Sequence, residues 1–301
     1  GNAVSLYLSA RTANDSEVRY TRPREDVQAH GVRAVTCGTV SAVVTTVRRG
    51  QKFAAANRAL AARTAAQLGI PNVPRGSDSL DEMRTAYGVD AVLVARRGLL
   101  TAVTAEGELF FHPGMAHLRI KNLRSGQGDH LVHALGLTEG MRVLDCTLGT
   151  GADAIIESFA VGAAGAVTAL EANPIIAAVI GDGLAHAMGD NYEMHAAMRR
   201  ISVHAADALD YLRAQADGSY DAVYFDPMFR RPVHESEGMN ALRALADARA
   251  LTAEVIAEAR RVARRRVVMK ERQGSREFAR LGFTDLAGGR YSRVAYGVME
   301  V

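Results

Sequence analysis

The feature that most constrains this 301-residue chain is a change of rhythm at residue 143, where short apolar runs begin to alternate with helix-like segments. Val143-Leu144-Asp145, Ala166 to Leu170, Ser202 to His204, Ala222 to Phe225 and Val267 to Met269 read as strands. Helices are expected from Ala152, from Pro174, over Asp207 to Leu212, and over Thr252 to Ala263. Pro174 suits a first helical turn, because its fixed φ is already helical and its missing N–H is not needed there. Ala222-Val223-Tyr224-Phe225 is apolar at every position, the pattern of a strand covered on both faces. Such alternation predicts an α/β fold with a parallel, doubly wound sheet whose ligands bind at the carboxyl ends of its strands. Phe283 and Tyr291 to Val298 add a C-terminal antiparallel pair.

Upstream lies a smaller α/β pattern. Ala42 to Val47 is β-branched and reads as a strand. Phe53 to Leu68 reads as a helix stopped by Gly69 with Pro71 beyond. Ser79-Leu80-Asp81-Glu82 has the spacing of a capping box. Ala91 to Ala95, Leu99 to Thr104 and Glu108 to Phe111 read as short strands. The expected organisation is an extension over 1–40, with a short strand near Val32 to Val35, then a small α/β domain over 41–111 and a large domain over 112–301. Residues 113–136 read as one or two helices.

Composition narrows the function classes. Hydrophobic residues make up 48% and charged residues 23%, and no apolar run approaches the roughly 18 residues that span a bilayer. A cytoplasmic protein without a membrane partner is expected. Two cysteines, Cys37 and Cys146, offer no disulfide framework, and the nine histidines show no ligand spacing, so no metal is assigned. The net charge is only +3, but basic residues are grouped. One group is Arg119, Lys121 and Arg124, a second is Arg230-Arg231, and a third runs from Arg260 to Arg266 with Lys270 and Arg272 beyond. Such groups are either solvated faces or phosphate contacts. Their position beside the motifs below favours phosphate, and so structured RNA as partner.

The first motif is Asp145-Cys146-Thr147-Leu148-Gly149-Thr150-Gly151-Ala152-Asp153. Gly149 and Gly151 let backbone turn tightly and approach a ligand. The letters also satisfy G-x-G-x-x-A, a weak dinucleotide fingerprint. A pyrophosphate cradle gains nothing from an acid at the strand end, however, whereas Asp145 suits the cationic amino group of S-adenosylmethionine. Glu171 ends the second strand, where a carboxylate accepts both ribose hydroxyls in either cofactor class. Asp207 is placed to bond an adenine amine or to cap the helix behind it. Asp153 is either an early helical acid favoured by the dipole or a ligand contact.

The second motif, Asp226-Pro227-Met228-Phe229, follows the all-apolar strand and resembles the (Asp/Asn)-Pro-Pro-aromatic loop of amino-group methyltransferases. An exocyclic base amine is a poor nucleophile, because its lone pair is delocalised into the ring. Asp226 and the Pro227 carbonyl can accept its N–H bonds and favour a more tetrahedral nitrogen. Phe229 offers a stacking face for a flipped base, and Pro227 stiffens the loop.

On these residues the chain from Phe110 onward resembles the ribosomal RNA small-subunit methyltransferase J family, which acts on guanine N2 of 16S rRNA. From Ala42 onward it resembles methyltransferases of the YpiP type in Gram-positive bacteria. The matching text is Phe111 to Arg119, Val143 to Ala154, Leu170 to Pro174, the Gly183-Leu184 region, His204 to Asp207, and Tyr224 to Phe229. The resemblance implies a class I methyltransferase sheet using S-adenosylmethionine, with donor contacts at Ala152-Asp153, Glu171-Ala172, Ala206-Asp207 and Asp226. The ribosomal enzymes carry Arg in place of Ala152, Arg in place of Ala172, and Ser-Ser in place of Ala206-Asp207. Other readings of the same residues are methylation of DNA adenine, protein glutamine or a small amine, an NAD-dependent oxidoreductase, and an RNA-binding module with a degenerate donor pocket.

Overall fold

Apolar strand-forming runs collect into two sheets. The computed structural model describes residues 25–29, 32–37, 40–47, 51–227, 237–289 and 292–301. In chain order the elements begin with β1 (Glu25–Ala29), β2 (Val32–Cys37), β3 (Val40–Thr46), α1 (Ala54–Leu68), α2 (Leu80–Tyr87), β4 (Ala91–Arg96), β5 (Leu99–Thr104) and β6 (Gly107–Phe110). Next come α3 (Ala116–Arg124), α4 (His130–Leu135), β7 (Arg142–Asp145), α5 (Ala152–Val161), β8 (Ala166–Glu171), α6 (Pro174–His186), α7 (Tyr192–Arg199) and β9 (Ile201–Ala205). The last are α8 (Ala208–Arg213), β10 (Tyr220–Phe225), α9 (Glu237–Leu245), α10 (Ala253–Val262), β11 (Ala263–Arg272), α11 (Glu277–Arg280), β12 (Asp285–Ala287) and β13 (Val294–Glu300).

Two compact units result. The first takes residues 1–112, 173–187 and 233–247, and the second takes 113–172, 188–232 and 248–301. The first unit therefore gathers α6 and α9 from far along the chain, in addition to the segment expected to form the small domain. Its sheet has the order β1-β2-β3-β4-β5-β6. Only β3 and β4 are parallel within it, and α1 and α2 make the crossover between them. Gly69 ends α1 in the left-handed conformation at φ 65°. The capping box opens α2 as its spacing predicts: Ser79 Oγ accepts the Glu82 N–H at 3.1 Å, and Glu82 returns a bond to the Ser79 N–H.

Helix α6 is buried from Pro174 to Leu184 and packs on β5 and β6. Asn173 caps it, accepting from the N–H groups of Ile175 and Ile176. Asp182, 2% exposed, accepts the Leu100 N–H at 2.8 Å and so ties the helix to β5. Gly183 faces Phe111 so closely that a Cβ there would lie 2.1 Å from the Phe111 Cβ.

The second unit holds the seven-stranded sheet β12-β13-β11-β10-β7-β8-β9. Strands β9, β8, β7, β10 and β11 are mutually parallel, and β13 is antiparallel to both β11 and β12. Within the unit, the first strand, β7, sits centrally between β10 and β8, so the order reverses there. That is the switch point where a ligand crevice forms. Tyr220, Val223, Phe225, Val262, Val267 and Met269 belong to one buried cluster that covers a face of this sheet.

We expect Gly183→Ala to lower unfolding stability by about 1–3 kcal/mol through overpacking against Phe111. Urea denaturation followed by circular dichroism checks this, and an unchanged midpoint would show that Phe111 moves aside.

Candidate active site

Parallel register brings the sequence-predicted residues to one edge of the seven-stranded sheet. Tyr224 lies opposite Asp145 on β7 and opposite Val268 on β11, and Phe225 lies opposite Met269. Asp226 and Lys270 therefore leave neighbouring strands side by side. Glu171 ends β8 opposite Ala205, and the Ala206 N–H donates to the Glu171 carbonyl at 2.9 Å.

The loop after β7 is pinned from both sides. The Cys146 N–H donates to the Tyr224 carbonyl at 2.9 Å, and the Leu148 N–H to the Leu170 carbonyl at 2.8 Å. Gly149 (φ 50°) and Gly151 (φ 79°) both occupy the left-handed region that side chains disfavour. The turn carries the Gly149 N–H to within 3.3 Å of Glu171 Oε2, and Gly151 becomes the N-cap of α5. Thr147 stitches this loop to the one after β10. Its N–H and hydroxyl donate to Asp145 Oδ1 at 2.9 and 3.3 Å, while its Oγ1 accepts the Asp226 N–H at 2.6 Å.

Asp145 ends β7 at the start of this loop. It is 1% exposed, its Oδ2 is buried without a partner, and burial pushes its pKa up to about 8, with Asp153 and Asp226 adding to the rise. Its Oδ1 orders the loop through the Thr147 N–H and hydroxyl. Glu157 on α5 is fully buried with neither oxygen bonded, and burial likewise raises its pKa well above the usual range.

Around this loop runs a chain of charges. Arg119 on α3 grips Asp129 with two bonds, Nε to Oδ2 at 2.7 Å and Nη2 to Oδ1 at 2.9 Å. Its Nη1 reaches Asp153 Oδ1 at 2.6 Å. Asp153 Oδ2 accepts from the Tyr224 hydroxyl and from Lys270 Nζ, both at 2.9 Å. Lys270 Nζ completes the chain on Asp226 Oδ2 at 2.7 Å. Burial disfavours ionised Asp153, but Lys270 and Arg119 together outweigh it and hold the carboxyl well below the usual range. Asp129 is lowered too: burial is overcome by Arg119 and by the α4 N–H groups of Val132 and Leu131. Asp226 goes the other way. Burial, opposed by Lys270 but reinforced by Asp153, pushes it up to about 6.

The remaining predicted residues fall around this core. Ala152 begins α5 and Ala172 follows Glu171, both half-buried, while Ala206 is buried. Asp207 caps α8 through the N–H groups of Leu209 and Asp210 and also pairs with Arg249 at 2.5 Å. Pro227 follows Asp226 directly, whereas Phe229, Arg230 and Arg231 lie outside the described residues. Of the expected phosphate contacts, Lys121 is exposed and Arg124 is exposed and paired with Glu193 at 2.9 Å. Arg119 instead has its guanidinium turned inward. Sequence reasoning passed over Thr147, Tyr224 and Asp129, and grouped Lys270 with the arginines. The signal for Lys270 was available: it follows the apolar run Val267 to Met269, at the carboxyl end of the fifth parallel strand. Among the described residues, no cluster of three or more metal-ligating side chains occurs, and no helix is long and apolar enough to cross a membrane.

A sheet in this order, with a glycine loop at its switch point, is the class I methyltransferase arrangement. The chain belongs to the family described as "Putative SAM-dependent methyltransferase", whose model matches residues 101–282. It is a SAM-dependent methyltransferase, with S-adenosylmethionine as its cofactor. It is 36% identical over 234 residues to the uncharacterized protein YpiP of Bacillus subtilis, covering 78% of this chain and 91% of that one. It is 35% identical over 174 residues to the ribosomal RNA small subunit methyltransferase J of Laribacter hongkongensis, covering 56% and 59% of the two chains. In fold it is similar to the crystal structure of a SAM-dependent methyltransferase from Neisseria gonorrhoeae, with TM-score 0.58 at 20% identity, covering 85% of this chain and 95% of that one.

The local chemistry fits the donor. A left-handed glycine turn brings backbone close without a Cβ in the way, and Glu171 supplies an acceptor for hydroxyl groups at the end of β8.

Because Asp129 and Asp153 ionise below their ordinary range, the stability they add is complete above about pH 4 and is lost as pH falls further. Arg119→Met should therefore cost about 2 kcal/mol at pH 7, a partly exposed case of breaking an ion pair. The difference from wild type should narrow below about pH 4, as denaturation at several pH values would show.

Proposed function

We propose that this methyltransferase modifies an exocyclic amine of ribosomal RNA, with guanine N2 as the acceptor. The observation that carries the reading is the state of Asp226. Its N–H is held by Thr147 and its Oδ2 by Lys270, which leaves Oδ1 as the acceptor for an incoming N–H. The side chain is 28% exposed, so an acceptor can reach it from solvent. Relatives named as ribosomal RNA small subunit methyltransferase J support the choice of RNA.

Bound S-adenosylmethionine supplies an electrophilic methyl group. In this reading Glu171 accepts the ribose hydroxyl hydrogens, and Gly149 and Gly151 admit the ligand to the backbone. Ala152, Asp153, Ala172 and Ala206 line the donor site, and Asp207 faces the adenine amine. Asp145 acts through the loop it orders. At the acceptor side, Asp226 and the Pro227 carbonyl take the amine hydrogens and orient the nitrogen lone pair. Phe229 stacks the base, while Lys121, Arg124, Arg230 and Arg231 meet phosphates. The new N–C bond forms as the S–C bond breaks, and the amine releases a proton to solvent.

Two measurements test this. S-adenosylmethionine at a hundredfold excess over its Kd should stabilise the wild type by about 2.7 kcal/mol, and Glu171→Ala should lose most of that shift. Tritiated methyl transfer should then label unmodified 16S rRNA or small ribosomal subunits, with N2-methylguanosine recovered after digestion and Asp226→Ala inactive. Label appearing on DNA, peptide or free nucleoside in place of RNA would sink the substrate assignment. RNA binding that persists without any transfer would point to a degenerate donor pocket.

A further inference from the structure

Lys270 stands at the meeting of two carboxylates that titrate in opposite senses. Its Nζ lies 2.7 Å from Asp226 Oδ2 and 2.9 Å from Asp153 Oδ2, and its side chain is only 20% exposed. Among the described residues, the other titratable groups that bear on Asp226 come from four elements. They are Asp145 on β7, Asp153 on α5, Tyr224 on β10 and Glu271 on β11. Tyr296 on β13 bears on Lys270. Asp153 and Glu271 carry charges that work against a second negative charge at Asp226.

Protonation of Asp226 would change its chemistry. A carboxylate accepts at both oxygens, whereas a neutral carboxyl presents an O–H, which competes with the amine that needs an acceptor. Lys270 opposes that protonation by direct contact. It cannot swing away readily, because Asp153 holds the same ammonium and is itself braced by Arg119 and Tyr224. We propose that Lys270 is a positioning residue that keeps Asp226 ionised and directs its Oδ1 toward the acceptor amine. The catalytic meaning of this role rests on the acceptor-site reading given above.

The test follows the Asp226 carboxyl itself. Full-length protein labelled with 13C at aspartate Cγ is titrated by NMR, and the Asp226 signal is assigned by its loss in Asp226→Asn. Wild type should titrate near pH 6. In Lys270→Met the midpoint should rise by about two units or more, and in Lys270→Arg it should stay within about one unit of wild type. Methyl transfer to 16S rRNA, run alongside, should fall about tenfold or more for Lys270→Met at pH 7 and recover toward pH 9, moving with kcat rather than KM. Stabilisation by S-adenosylmethionine reports whether each variant keeps its fold and donor site. Should Lys270→Met fail to fold, Lys270→Gln removes the charge while keeping a hydrogen-bond donor and takes its place. An Asp226 midpoint unchanged without the lysine charge overturns the proposal. A midpoint that moves as expected, in a protein whose Asp226→Asn variant still transfers methyl groups at full rate, supports the hold of Lys270 on Asp226 and overturns the acceptor reading instead.

Discussion

The alternation of charge from Asp129 through Arg119, Asp153 and Lys270 to Asp226 is the constraint on which the candidate site depends. It joins the start of α4, the middle of α3, the first turn of α5 and the ends of β10 and β11. None of these elements is adjacent in sequence to all the others, and their backbones share no hydrogen-bond ladder beyond β10 with β11. Charge pairing supplies the missing connection. Each interior member has an opposite charge on both sides, so the burial cost of any one is offset only while its neighbours stay in place. The arrangement is therefore cooperative, each charge being offset only while the next pair is in place.

Beside this charged chain stand two further acids. Asp145 and Glu157 are buried, and burial raises the pKa of each, so a negative charge is disfavoured at two carboxyl groups close to Asp153. Were both ionised, their repulsion would compete with the Lys270 and Arg119 contacts that keep Asp153 charged. Like-charged neighbours inside a protein resolve such conflict by separating their titrations. Here the separation follows burial and partnership: Asp153, with two cations and a tyrosine hydroxyl, keeps its charge.

Much of this architecture is legible in the sequence, and the reasons differ by element. Strands β7, β8, β10 and β11 are apolar runs between helices with recognisable caps, such as Asn173-Pro174 and Thr252, and those signals are local. The glycine pair and the acids at the strand ends follow from the same local reading. Helix α7 carries no clear sequence signal, because Tyr192 to Arg199 is too short and polar to show a period. Asp145 is legible as an acid beside the glycine loop, but its burial is not, since sequence gives the residue type and not the direction in which a strand-ending side chain turns. Arg119 shows the same limit in reverse. Its basic neighbours Lys121 and Arg124 suggested a phosphate contact, whereas Asp129 and Asp153, 10 and 34 residues away, claim its guanidinium.

The first unit is discontinuous, and this has a consequence for the order in which the chain can acquire structure. Its six strands are complete by residue 110, yet α6 and α9, which pack on β5 and β6, come from residues 173–187 and 233–247. A ribosome makes the sheet first and its cover much later. During synthesis at about 5–20 residues per second, the apolar face meant for α6 waits several seconds for its partner. A domain that looks separable at residue 112 is thus the first to begin folding and cannot finish until residue 247 has been made.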